Sequence, residues 1–189
     1  MQGRAYLDQI AGTISEGILV TNANLHLPDL VDVARRGVPV VLCLWERPDA
    51  PPEGLPCVAV NFREAGRIAT RHLLELGHKT IGVIVGGSAS GVHAAADRGR
   101  RVPDDLSIVG ITDIHLASDT RPTLTTVAIP TAEAAGLAVE LLNALREAGG
   151  RIDDAARVRT ASLPRLVVRG TTAPARERAT RRAARSRLD

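Results

Sequence analysis

Several short apolar runs in this 189-residue chain end on polar or aromatic side chains. Thr21 and Asn22 close GILVTN, Trp45 and Glu46 follow VPVVLCL, Asn61 follows CVAV, and Thr112 with Asp113 follows LSIVGI. In open α/β sheets, ligands sit outside the carboxyl ends of the strands, so Asn22, Trp45, Asn61, Thr112 and Asp113 are the candidate binding residues. Neutral hydrogen-bonding groups beside one indole suit a polyhydroxylated small molecule better than a phosphate or a metal. Each residue also has a plainer role open to it. Asn61 can cap the helix that follows, Asp113 can cap a turn, and Trp45 can cover a sheet edge.

Other chemistries find little support. GGSASG (86–91) follows one run and precedes a helical pattern, yet it has neither the GxxxxGK[ST] lysine nor GxGxxG spacing, so it is not read as a phosphate cradle. His26, His72, His78, His93 and His115 show no HExxH and no paired ligand spacing, so no metal is expected. Ser88 and Ser90 lie outside any GxSxG elbow, and Cys43 and Cys57 sit in or beside apolar runs as two reduced thiols. The expectation is a chain with no catalytic residues and no cofactor, hence not an enzyme.

The elements that must position the candidates alternate. Strands are expected at 17–21, 38–44, 57–60, 80–85, 106–111, 124–129 and 163–169, with helices at 28–36, 62–76, 90–99 and 131–145. Strand, helix, strand is the signature of βαβ units and a parallel sheet, so the fold class is α/β with Rossmann-like parallel sheets. Helix 62–76 is marked at both ends: Asn61 and Glu64 have capping-box character, Phe62, Ala65, Ala69, Leu73 and Leu76 share a stripe, and Gly77 stops it. With apolar residues at 44% but aromatics at only 2%, the core must be Val, Leu, Ile and Ala. Strand 80–85 is expected to pair in parallel with strand 106–111.

Charge separates the chain into two parts. The formal net charge is +3, but residues 170–189 hold six Arg against Glu177 and Asp189, which leaves the body at −1. A near-neutral body gives no electrostatic reason to track nucleic acid, and only the tail has the charge for non-specific phosphate contact. No apolar run approaches the roughly 20 residues of a membrane span, and the amino terminus does not read as a signal peptide. A cytoplasmic location and no membrane partner are expected.

HLLELGHKTIGVI (72–84) resembles the HLxxLGHxxI passage of the LacI/GalR family of bacterial transcription repressors. SEGILVTN (15–22), GVPVVLC (37–43), GRRVPDDLSIVGITDI (99–114), RPTLTTV (121–127) and LVVRGTTAP (166–174) resemble that family in the same order. The resemblance implies a periplasmic-binding-protein-like core of two lobes that clasp a sugar or nucleobase effector. It places 1–78 and 124–150 in a first lobe, 79–123 and 151–170 in a shortened second lobe, and leaves 171–189 as a basic tail. It further implies a homodimer, or a dimer with a full-length repressor, that meets DNA only through a helix-turn-helix head.

Set against the family pattern, the sequence is expected to lack that head, the first two strands of the first lobe, and a long stretch between Val85 and Ser90 carrying effector contacts. Thr112 stands where the first of two Asp is usual, and Asn61 where an Asp is usual. Each change removes a carboxylate able to accept charge-assisted hydrogen bonds from sugar hydroxyls. The function implied is the effector-sensing, dimerising portion of a repressor. A stand-alone carbohydrate-binding module, a remnant without activity and, last, a Rossmann-type enzyme are the competing readings.

Overall fold

A computed structural model describes residues 16–21, 26–81, 95, 97–150, 153 and 156–176. In chain order the elements are β1 (Ile18–Val20), α1 (Leu27–Arg35), β2 (Val40–Trp45), β3 (Cys57–Ala59) and α2 (Phe62–Glu75). There follow β4 (Val109–Thr112), α3 (Leu116–Asp119), β5 (Thr125–Ala128), α4 (Thr131–Glu147), β6 (Val158–Thr160) and β7 (Arg165–Val167). The chain divides into two compact units, Met1–Arg67 with Val127–Arg165, and Ile68–Thr126 with Leu166–Asp189.

The first unit is built on a sheet of order β1-β2-β3-β6, parallel throughout. A strand buried on both faces reads as an unbroken apolar run, and Val40 to Cys43 in β2 are all buried. Successive side chains point to opposite faces. Val40 and Leu42 accordingly join Leu30 and Val33 of α1 in one core cluster with Val20, Leu55 and Cys57. The other face takes α4, whose buried Ala134, Ala138, Leu141 and Leu145 recur at helical spacing. Gly17 lies close against α4: a Cβ there would be 2.8 Å from Leu142 Cδ1, so the leucine side chain would have to shift to admit one.

Local signals explain the helix limits. In α1, Pro28 occupies the first turn, where its missing N–H costs nothing, and Asp29 and Arg35 complement the helix dipole at the two ends. Gly37, at φ +92°, takes the left-handed turn that stops it. α2 begins where Asn61 Oδ1 accepts a hydrogen bond from Glu64 N at 2.9 Å, the first half of the expected capping box.

The second sheet has the order β4-β5-β7. Thr125, Thr126 and Val127 of β5 are buried, and Ala117 of α3 packs with Leu124 and Ile108. Residues 171–176 depart from the tail reading. Thr171 is fully buried: its hydroxyl accepts from Thr125 N at 2.8 Å and donates to Ile108 O at 2.7 Å. Ala175 N donates to Leu76 O at 2.7 Å, and His72 Nε2 lies 3.0 Å from Thr172 Oγ1. The segment is thus part of the second unit's hydrogen-bonded frame.

β6 is a second departure. Residues 151–170 were expected in the second lobe, but Val158–Thr160 pair in register with Cys57–Ala59 and extend the first sheet. The expected strand 80–85 and its pairing fall on residues of which 82–85 lie outside the described ones, as does most of the expected helix 90–99.

Candidate functional site

Each unit presents candidate residues at the carboxyl end of a strand. In the first unit, β2 ends in an irregular step: the pairing with β3 shifts between Cys43 and Trp45, and Leu44 between them adopts φ +63°. A non-glycine residue in the left-handed region is strained, and a bulge of this kind re-aims the side chain that follows. That side chain is Trp45, the chain's one tryptophan. Its indole packs against the core cluster, and its Nε1 donates to Ala50 O at 3.0 Å, which fixes the ring and uses its only donor. Val60 N donates to Trp45 O at 2.8 Å, so the end of β2 and the residues leading to Asn61 are joined. Asn61 spends its carboxamide oxygen on the α2 cap and keeps its NH₂ donors for other use. Asn22 lies outside the described residues.

In the second unit, β4 ends on two more left-handed residues, Thr112 at φ +100° and Asp113 at φ +52°. For a β-branched residue this is a costly conformation. Thr112 is exposed, while Asp113 turns inward to Arg169, whose Nη1 is 2.7 Å from its Oδ1. Sequence reasoning missed Arg169, because 56 positions separate it from Asp113 and nothing local in LVVRGTT marks its partner. It missed Leu44 as well, where neither glycine nor asparagine announces a left-handed turn.

Strain at Thr112 carries a direct prediction. Thr112→Gly should stabilise the chain by about 1 kcal/mol, the relief of one left-handed residue less the added backbone entropy. Chemical denaturation measures it, and a destabilisation would contradict the strained conformation.

The remaining chemistry is quiet. Cys43 and Cys57 are free and buried; burial pushes the Cys57 thiol up to about 11 and that of Cys43 upward too, so both stay protonated near neutrality. Among the described residues no group of three or more His, Cys, Asp or Glu is placed to hold a metal. No helix among them is long and apolar enough to cross a membrane. A cavity of about 180 Å³ lies at the opposite end of the first sheet, lined by Val31, Arg35, Pro39, Pro56, Leu145 and Arg157. It is smaller than the roughly 300 Å³ at which ligand pockets usually begin, and it shares no residue with the candidate set.

The family model for periplasmic binding proteins and the sugar binding domain of the LacI family matches residues 2–127, two thirds of the chain. The chain belongs to the LacI family. A second model, the periplasmic binding protein-like domain, matches residues 87–172 of this LacI-family chain. An uncharacterised helix-turn-helix-type transcriptional regulator of Streptomyces limosus is 40% identical to it over 246 residues, covering 90% of this chain and 68% of the relative. That match is longer than the chain's own 189 residues, so the relative carries residues, inside the matched region, that this LacI-family chain lacks.

Solved structures share the fold. A LacI family transcriptional regulator from Enterococcus faecalis with bound ribose superposes with a TM-score of 0.76 at 16% identity, over 93% of this chain and 84% of its own. The transcriptional regulator CelR in complex with cellobiose gives 0.74 at 22%, over 90% and 70%. The α/β class and the periplasmic-binding-protein-like architecture agree with the expectation from sequence.

Proposed function

We propose that this chain is the effector-sensing and dimerising portion of a LacI-type transcriptional regulator and that its effector is a sugar. The observation that carries the reading is the strained, non-glycine backbone at the ends of β2 and β4. It sets Trp45 in one unit and Thr112 with Asp113 in the other at the strand ends where α/β sheets take ligands. An indole, an amide NH₂, a hydroxyl and a carboxylate are the groups that recognise a polyhydroxylated ring. Asn22 completes the set in this reading. The sugars held by the two solved relatives support the ligand class, and the regulators among the relatives support a regulatory role over an enzymatic one. DNA contact, in this reading, is made only through a helix-turn-helix head of the family's kind, and the protein works in the cytoplasm as a dimer.

A thermal-melt screen against a sugar panel including ribose and cellobiose tests it. A ligand that binds only the folded state at a hundred times its Kd adds about 2.7 kcal/mol, a rise of roughly 5–10 °C for a chain of this size. One sugar raising the midpoint supports a working sensor. A cooperative melt blind to every sugar would reject it in favour of another effector class. A second reading, a remnant without activity, draws on the residues that the Streptomyces relative has and this chain lacks. A broad, non-cooperative melt is its signature.

A further inference from the structure

We infer that Arg169 is a positioning residue for effector binding, which holds the Asp113 carboxylate with one oxygen turned inward and the other presented to the ligand. The inference rests on the sugar-sensing reading above and adds a residue to it. Arg169 is itself anchored from two sides. Its backbone N donates to Thr125 Oγ1 at 2.9 Å, and its Nη1 donates to Leu124 O at 2.8 Å. The guanidinium is therefore fixed against the start of β5 before it meets Asp113. The pair is mostly withdrawn from solvent, with side-chain exposures of 20% for Arg169 and 17% for Asp113.

The two carboxylate oxygens are not equivalent. Oδ1 is buried and makes no aligned hydrogen bond, although it lies 2.7 Å from Arg169 Nη1. Charge attraction, not a directed hydrogen bond, compensates its desolvation. Because Oδ1 has no exposure, the part of Asp113 that reaches solvent is Oδ2 with the methylene. A carboxylate held this way keeps its orientation, and its outer oxygen can accept charge-assisted hydrogen bonds from sugar hydroxyls without further ordering. The same contact explains how two successive left-handed residues persist at Thr112 and Asp113, since strain of this kind survives only where surrounding structure over-determines it.

The test uses the full chain and two probes, D-ribose and cellobiose, in calorimetric titrations of the wild type, Arg169→Ala, Arg169→Lys, Asp113→Asn and the Asp113→Asn/Arg169→Ala double variant. Positioning predicts that Arg169→Ala weakens the bound sugar about 30-fold, and that Arg169→Lys recovers most of the loss because an ammonium still pairs with Oδ1. The double variant should bind no more weakly than Asp113→Asn alone, since Arg169 acts only through that carboxylate. A purely structural Arg169 would lower the melting midpoint yet leave affinity within about twofold of wild type, which overturns the inference.

If the wild-type chain binds neither probe, ribose and cellobiose are not its effectors, and the sugar reading is left to the wider melt screen. The clamp is then decided on the ligand-free chain by backbone NMR. Loss of the left-handed shifts and couplings at Thr112 and Asp113 in Arg169→Ala, with retention in Arg169→Lys, supports it, and retention in both overturns it. If the alanine variant does not melt cooperatively, Arg169→Gln replaces it in every comparison.

Discussion

Replacing Leu141 with alanine should destabilise the first unit by about 3 kcal/mol, within the 2–5 kcal/mol typical of a buried leucine cut back in a core that cannot collapse around the void. Leu141 is 1% exposed. It stands in the middle of the α4 stripe of Ala134, Ala138 and Leu145, and the neighbouring alanines are too small to fill the space it would leave. Leu141→Met keeps the volume and should cost less than about 1.5 kcal/mol. Urea denaturation followed by Trp45 fluorescence reports on this unit, because Trp45 ends β2 in the sheet that α4 covers. An alanine variant within about 0.5 kcal/mol of wild type would mean that α4 does not seal the sheet.

Thr171→Val is the second large effect, expected at about 3 kcal/mol. Valine matches threonine in shape but removes the hydroxyl that accepts from Thr125 N and donates to Ile108 O. A buried donor or acceptor left without its partner costs about 1–3 kcal/mol, and here there is one of each. Thr171→Ser retains both bonds and loses only a methyl group, so it should recover most of the stability. A residue in a solvated tail would change stability by less than about 0.5 kcal/mol on the same substitution. The melting midpoints of the two variants therefore decide whether Thr171 belongs to the core.

What could be read in the sequence follows from how local each cause is. α2 was expected at 62–76 and is found at Phe62–Glu75, because Asn61, Glu64 and Gly77 mark its ends within a few residues of it. β2 was legible as an apolar run since both its faces are covered. β6 was not: Val158, Arg159 and Thr160 have no apolar pattern, and as an edge strand it owes its place to pairing with β3, a hundred residues earlier. Thr171 gave no sign either, since its burial depends on Thr125 and Ile108, both distant in sequence.

The candidate site divides in the same way. Trp45, Asn61, Thr112 and Asp113 were singled out because strand ends are visible as the places where apolar runs stop, and β2 does end on Trp45 and β4 on Thr112. The N-cap role of Asn61 was equally visible from Glu64 three residues on, and the structure shows that role filled. The left-handed turns at Leu44, Thr112 and Asp113, and the ion pair from Arg169, arise from the folded backbone and carry no signal in residue type or spacing.

Fluorescence titration of Trp45 with sugars is the most direct test of the sensing reading. The chain has one tryptophan, so all indole emission comes from the end of β2. A sugar that binds there should shift the emission or change its intensity along a saturable curve. Emission that ignores every sugar in a chain that melts cooperatively would contradict the account.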